Sequence, residues 1–210
     1  MIKKALVALA MSGTMMSAHA GYLVKEDFND VSTLQTKGWV MTNASTPGGK
    51  TGWYQGDQTQ FGSKSGPRDS YVAANYENAP VGGLIDNWLI TPEFSTALGA
   101  RVTFWIRSIF AEDYSDSLAF GKSNGGSDLE DFSLTPTITV GTDGWTQFRF
   151  DFDKVAGSAR FAFQYIGDYG SANYIGIDRV RISAIPEPST MLMLGIGVMG
   201  LAAARRRKRA

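Results

Sequence analysis

The chain has 210 residues, with 20 Lys and Arg, 20 Asp and Glu, no Cys, and a single His at position 19. Residues 21–184 therefore lack both His and Cys, which excludes disulfides, Ser-His-Asp and Cys-His catalysis, and the usual zinc, copper and haem ligand sets. The same residues carry 13 Lys and Arg against 19 Asp and Glu, a formal charge of −6, which disfavours nucleic acid as a partner.

The N-terminus has the three parts of a secretory signal peptide. Lys3 and Lys4 form a positive n-region, an apolar stretch follows, and Ala18-His19-Ala20 is a small-x-small cleavage site. We expect signal peptidase to cleave after Ala20, so that residues 1–20 are removed and the exported domain is residues 21–184.

Residues 21–184 are predicted to form one all-β domain, an antiparallel two-sheet sandwich of the jelly-roll type. Short strand-like runs recur between clusters of Gly, Pro, Asn, Asp and Ser, and no helix of ordinary length is predicted before the tail. The candidate strands are Tyr22–Phe28, Ser70–Tyr76, Leu84–Ile90, Arg101–Phe110, Ser117–Gly121, Trp145–Phe152, Ala159–Ile166 and Tyr174–Ser183.

Two of these strands alternate between apolar and polar positions, as half-buried strands of a sandwich do. One apolar face contains Phe148, Phe150 and Phe152, and another contains Ala159, Phe161, Phe163 and Tyr165.

The last candidate strand changes parity along its length. Ile175 and Ile177 are odd-numbered, whereas Val180 and Ile182 are even-numbered. One extra residue must absorb the change, so we predict a β-bulge near Asp178-Arg179 that re-aims the Asp178 side chain.

Several motifs along residues 22–183 resemble those of a known family. They are Glu26-Asp27-Phe28-Asn29-Asp30, Gly38-Trp39, Trp53, Ser70-Tyr71-Val72-Ala73-Ala74-Asn75-Tyr76, Asp86-Asn87-Trp88-Leu89-Ile90-Thr91-Pro92, Val102-Thr103-Phe104-Trp105, Phe161-Ala162-Phe163-Gln164-Tyr165 and Ile175-Gly176-Ile177-Asp178-Arg179-Val180. With these motifs the chain resembles the choice-of-anchor J domain, a relative of the cleaved-adhesin and MAM jelly rolls. The resemblance implies an exported jelly roll with a surface-binding or adhesive role, and it does not imply an enzyme.

The resemblance also implies a structural Ca²⁺ near the junction of the first and last strands, where carboxylate and carbonyl oxygens would bind it. The candidate ligands are Glu26 and Asp27 on the first strand, Asp178 on the last, and Asp69 in the turn before Ser70. The alternatives are an exposed edge strand for the first two, a hydrogen-bonded bulge residue for Asp178, and an Asx turn for Asp69.

Aromatic residues in or beside loops indicate a binding site for polysaccharide, because an exposed ring can stack on a pyranose face. The candidate ligand contacts are Trp53, Tyr54 and Trp145, the last on the polar face of its strand if Phe148 points inward. Core packing is the alternative, and we expect it for Trp39, Trp88 and Trp105.

Two other function classes stay open. A carboxylate-based glycoside hydrolase needs two carboxylates that face one cleft, but the face shared by Asp151 and Asp153 is predicted to face solvent. We therefore assign no catalytic residue and expect no enzyme. A passive structural matrix protein without a discrete ligand is the other alternative to adhesion.

Residues 185–210 form a three-part tail. Pro186-Glu187-Pro188 precedes an uncharged run of 16 residues from Ser189 to Ala204, and the basic residues Arg205, Arg206, Arg207, Lys208 and Arg209 follow. At 1.5 Å per residue the run gives a helix of about 24 Å. We predict a single short transmembrane helix, whose basic end stays in the cytoplasm.

The tail resembles the PEP-CTERM sorting signal of Gram-negative bacteria. The resemblance implies transient anchoring in the inner membrane, processing by an exosortase near Pro186-Glu187-Pro188, and release to the cell surface or the extracellular matrix. A tail that is kept as a plain membrane anchor is the alternative.

Overall fold

The computed structural model describes residues 21–185. The predicted signal peptide, the sorting motif, the predicted transmembrane helix and the basic end lie outside the described residues. Within residues 21–185, none of the helical segments has the length and apolar character that crossing a membrane requires.

The described part of the chain contains thirteen β-strands and four short 3-10 turns. The strands are β1 (Tyr22–Glu26), β2 (Val40–Asn43), β3 (Tyr54–Gln55), β4 (Val72–Asn75), β5 (Leu84–Ile90), β6 (Phe94–Ser95), β7 (Ala100–Ser108), β8 (Ser117–Ser123), β9 (Ser133–Leu134), β10 (Ile138–Thr139), β11 (Thr146–Phe152), β12 (Ser158–Asp168) and β13 (Tyr174–Ala184). The 3-10 turns are Val31–Thr33, Gln35–Lys37, Tyr76–Asn78 and Leu129–Asp131.

The strands form two antiparallel sheets, which confirms the predicted all-β class. The first sheet has the order β11-β7-β13-β4-β3, with β1 also paired to β13. The second has the order β10-β8-β12-β5-β2, with β6 paired to β12 and β9 to β8. All eight predicted strands are present, with ends that differ by a few residues, whereas the five additional strands are only two to four residues long.

The core lies between the two sheets and is rich in phenylalanine. The predicted inward faces are confirmed: Phe148, Phe150 and Phe152 pack against the core, and Phe161 and its alternate neighbours on β12 are buried. The rings of Phe104 on β7 and Phe163 on β12 meet edge to face with centroids 4.8 Å apart, so aromatic contacts join the two sheets directly.

The predicted bulge in β13 is confirmed. The pairing of β13 with β7 shifts register between Asp178 and Arg181, and Arg179 has a φ of 51°. Because the bulge absorbs one residue, Ile175, Ile177, Val180 and Ile182 all lie in the core despite their change of parity.

The sandwich has two distinct ends. Tyr22 pairs with Ser183, so the first and last described residues leave the sandwich at the same end, which we call the near end. Strand β13 spans eleven residues, or about 36 Å, from the near end to Tyr174. The opposite, far end is formed by the connecting segments 44–53, 76–83, 109–116, 140–145 and 168–173.

Candidate functional site

The outer face of the first sheet is covered by the segment 56–70, which we call the cover segment. Phe61 of this segment stacks on Tyr71 with ring centroids 5.0 Å apart and meets Tyr174 edge to face at 5.4 Å. The Tyr71 hydroxyl donates to the carbonyl of Asp57 at 2.6 Å. The cover segment therefore builds a second, smaller aromatic cluster on a face that the sequence pattern predicts to be solvated.

Two of the three predicted ligand-contacting aromatics belong to this cluster. Tyr54 packs against Tyr174 with centroids 6.3 Å apart, and burial raises the pKa of its hydroxyl. The Trp145 indole N–H donates to the Gly62 carbonyl at 2.9 Å, and its ring meets Phe61 edge to face. Both side chains are half-buried against this cluster, and Trp145 also contacts the cover segment itself.

The expectation that Trp53 presents an exposed ring is wrong. Trp53 is 6% exposed and lies in the main core, with its ring centroid 6.5 Å from that of Tyr165. The physical reason is the alternation at the start of β3: Tyr54 points to the outer face, so Trp53 points between the sheets.

Trp105 differs from its expected role as a core residue. Trp39 and Trp88 are buried as expected. Trp105 lies on the outer face of β7, half-buried, and the Lys64 ammonium of the cover segment lies 4.0 Å from its ring centroid. This cation–π contact contributes to holding the cover segment in place.

Two of the predicted calcium ligands, Glu26 at the end of β1 and Asp27 directly after it, have nitrogen partners. Glu26 is buried, accepts the N–H of Phe28 at 2.9 Å and forms an ion pair with Lys37 at 3.0 Å. Asp27 forms an ion pair with Arg181. Their carboxylate oxygens are thus directed at N–H groups and cations, and the pair of Asp27 with Arg181 ties the end of β1 to β13.

The other two predicted ligands differ in burial. Asp178 is fully buried and accepts the backbone N–H groups of Lys64, Ser65 and Arg179. Asp69 is exposed in the cover segment, where its carbonyl accepts from the Gln55 side chain. Within residues 21–185, no three Asp, Glu, His or Cys side chains lie together as a metal site. The carboxylates as placed do not form a calcium ligand set, and calcium binding stays a prediction.

The Asp178 carboxyl should make stability depend on pH. Burial raises its pKa from 3.8 to about 6, against the opposing effect of the three backbone N–H groups. The folded state therefore binds more protons than the unfolded state between these two pKa values. The contribution of the Asp178 carboxyl to the free energy of unfolding falls as pH rises through this window. We expect the stability of the wild type relative to Asp178→Asn to fall by roughly 1 to 3 kcal/mol between pH 4 and pH 7.

Denaturant unfolding of both proteins at the two pH values, in the presence of a chelator, measures this difference. The amide that the substitution introduces cannot titrate. The difference in stability between wild type and variant therefore cancels the pH dependence that all other titratable groups contribute. A stability difference that stays constant or grows with pH would contradict the expected sign.

The far end contains a pocket of about 310 Å³. Its walls come from three connecting segments, and the lining residues are Gly48, Gly49, Lys50, Glu77, Ala79, Pro80, Val81 and Tyr169. Val81 is 82% exposed, and Phe110, also at this end, is 76% exposed. The far end therefore combines a concave site with exposed apolar side chains, which is a typical composition for a binding surface.

The sequence pattern does not predict this pocket. Its residues come from segments 48–50, 77–81 and 169, which only the pairing of β2, β4, β12 and β13 brings together. No motif spans them, so the sequence offers no signal beyond the glycine pair Gly48-Gly49 and the loop position of Tyr169.

The near end contains a second depression of about 580 Å³. It includes Lys122, Phe152 and Val155, and the Lys122 ammonium lies 5.6 Å from the ring centroid of Phe152. This depression lies on the side from which the tail leaves.

Comparison with known proteins supports the prediction for the tail. Residues 184–208 match the PEP-CTERM protein-sorting motif. The motif implies export and surface sorting in Gram-negative bacteria, with processing by an exosortase.

The sandwich is similar in fold to cleaved adhesin domains of Lys-gingipain from Porphyromonas gingivalis W83. The K1 domain is 24% identical, with a TM-score of 0.60, over 78% of this chain and 98% of that chain. The K3 domain is 22% identical, with a TM-score of 0.55, over 78% of this chain and 99% of that chain. At these identities the likeness shows the fold, and it confirms the predicted jelly-roll class. A comparison with curated proteins finds no match to this chain.

Proposed function

We propose that this protein is a surface or matrix protein sorted by an exosortase, and that its sandwich is a binding module for polysaccharide. The observation that carries the proposal is that the far-end pocket lies opposite the tail, because Tyr22 pairs with Ser183 and brings both ends of the domain to one side. The sorting motif begins directly after this point, at residue 184. The far end, about 36 Å away along β13, then faces outward from the anchored or processed tail.

We further propose that the module binds without catalysis. A glycosidase needs one carboxyl with a raised pKa as general acid and a second carboxylate across the cleft. Asp151, one of the two carboxylates that the sequence places on one strand face, is paired with Arg149 and Arg101, which hold its pKa well below its usual range. Asp116 and Asp178 have the opposite shift, but each is buried and accepts backbone N–H groups. These partners support structural roles for the perturbed carboxyls.

Binding to polysaccharide is the direct test. The exported protein, purified from the culture medium of the producing bacterium, should bind one or more polymers in a panel of dextran, galactan, alginate and the exopolysaccharide of that bacterium. A protein that sediments with none of them would contradict the proposed ligand class and favour a passive matrix component.

Processing is expected to leave a defined mature chain. Cleavage after Ala20 and near Pro186-Glu187-Pro188 should give an extracellular form that starts at Gly21 and ends before Met191. Intact-mass and peptide mass spectrometry of the extracellular fraction measure both ends. Replacing Pro186, Glu187 and Pro188 by Ala should retain the full tail in the membrane fraction, with Glu112→Ala as a control outside the motif. Peptides from residues 191–204 in the extracellular wild-type protein would contradict the processing step.

A further inference from the structure

We infer that the far-end pocket between residues 48–50, residues 77–81 and Tyr169 is a binding site for a neutral saccharide, with Tyr169 as the stacking platform. The inference rests on the proposed polysaccharide-binding function. It assigns that function to a site different from the aromatic residues that the sequence suggests, two of which pack against the aromatic cluster on the outer face and one of which lies in the core.

The pocket has one apolar and one polar side. Tyr169, Pro80 and Val81 supply the apolar side, and Lys50 and Glu77 supply the polar side. A pyranose has the matching character, because its C–H face is apolar and its hydroxyl edge donates and accepts hydrogen bonds. The volume of about 310 Å³ lies at the lower end of the ~300–1,000 Å³ typical of small-ligand sites, which suits a short stretch of glycan.

The charged pair is available to sugar hydroxyls. The Lys50 ammonium and the Glu77 carboxylate are 3.9 Å apart, and their side chains are 87% and 37% exposed. An exposed ion pair of this kind contributes little to stability, so exchanging it for hydrogen bonds to a ligand costs little. With one cation and one anion the pocket has no net charge, and the domain around it carries a formal charge of −6. Both features favour a neutral saccharide over an acidic one.

The stacking ring is held before any ligand arrives. Tyr169 meets Tyr76 edge to face with ring centroids 5.2 Å apart, and its backbone N–H donates to the Gly83 carbonyl at 3.1 Å. The backbone N–H groups of Ser171 and Ala172 close the turn by donating to the Asp168 carbonyl. A ring whose position is already fixed loses little conformational entropy when it binds.

The floor of the pocket is also rigid. Gly49 donates its N–H to the Asn78 carbonyl and Lys50 donates to the Glu77 carbonyl, both at 2.9 Å. A Cβ at position 49 would clash with the backbone of residues 77–79, so only glycine permits this close approach. The buried Asn78 amide donates to Thr51 and Gly52 and accepts from Asn87, which fixes the floor to β5.

The test is the affinity of the exported protein for oligosaccharides prepared from the polymer that it binds best in the panel above. By isothermal titration, Tyr169→Ala should raise Kd at least about tenfold, which corresponds to ~1.4 kcal/mol. Tyr169→Phe keeps the stacking ring, so it should raise Kd less than Tyr169→Ala does. Tyr114→Ala is the matched control, because Tyr114 is an exposed tyrosine of the far end outside the pocket.

Each outcome decides a different point. If the wild type binds a neutral saccharide and Tyr169→Ala binds equally well, the pocket assignment is overturned while the proposed function stands. If only alginate or another acidic polymer binds, the neutral class is overturned. If nothing binds, the proposed function and the inference fail together. Thermal melting of each variant separates loss of the site from loss of the fold. Lys50→Gln is a second variant, on the polar side of the pocket, and it should weaken binding while its melting temperature stays unchanged.

Discussion

Replacing Phe161 by Ala should lower the free energy of unfolding by about 3 to 5 kcal/mol, the usual cost of emptying a large buried aromatic site. The Phe161 ring is fully buried on β12 and contacts five other phenylalanines from both sheets. Phe163 is its nearest partner on β12 at 5.1 Å, and Phe150 of the opposite sheet is 5.4 Å away. Loss of the ring therefore removes contacts within one sheet and between the two.

Denaturant and thermal unfolding measure the effect, and for a domain of this size the melting temperature should fall by roughly 10 °C. Phe110→Ala makes the same chemical change at a site that is 76% exposed, and it should shift stability by less than about 0.5 kcal/mol. If Phe161→Ala unfolds like Phe110→Ala, the inter-sheet cluster does not stabilise the fold in the way that its geometry indicates.

The sequence predicts the fold well because half-buried strands leave a periodic trace. The alternation in β11 and β12 identifies the inward phenylalanines, and the parity change in the last strand locates the bulge at Asp178-Arg179. Both signals are local, since a period of two along one strand needs no knowledge of its partners. The short strands β3 and β6, of two residues each, carry no such period, so the sequence pattern does not predict them.

The candidate site is harder to predict because it depends on contacts between distant segments. The polar face of β11 indicates solvent at Trp145, and only the folded chain shows that Gly62 and Phe61 cover this ring. The cover segment is mostly polar in sequence, with Phe61 as its single large apolar residue. In the same way, Lys50, Glu77 and Tyr169 are far apart along the chain and meet only when the strands are paired.

The far end must be rigid for the proposed site to work, and a buried carboxylate contributes to this rigidity. Asp116, at the end of segment 109–116, is 1% exposed. Its carboxylate accepts the Tyr165 hydroxyl at 2.6 Å and the backbone N–H groups of Asn173 and Tyr174 at 2.8 and 3.2 Å. It thus joins β12 and the end of the turn that carries Tyr169. Burial raises the pKa of this carboxyl, with the three donors opposing the shift.

Asp116→Ala should lower the free energy of unfolding by about 3 to 5 kcal/mol, because it leaves the buried Tyr165 hydroxyl and two backbone N–H groups without acceptors. Tyr165→Phe removes one donor of the same network, so the double variant should cost less than the sum of the two single changes. Glu112→Ala, an exposed carboxylate of the same segment, is the control and should be nearly neutral. Denaturant unfolding of the wild type, the two single variants and the double variant gives the coupling between Asp116 and Tyr165, and additive effects would show that the hydrogen bond between them does not stabilise the fold.

At temperatures where Asp116→Ala stays folded, saccharide binding should also weaken, because the turn that positions Tyr169 has lost its attachment. Unchanged affinity would separate the stability of the far end from the function of its pocket.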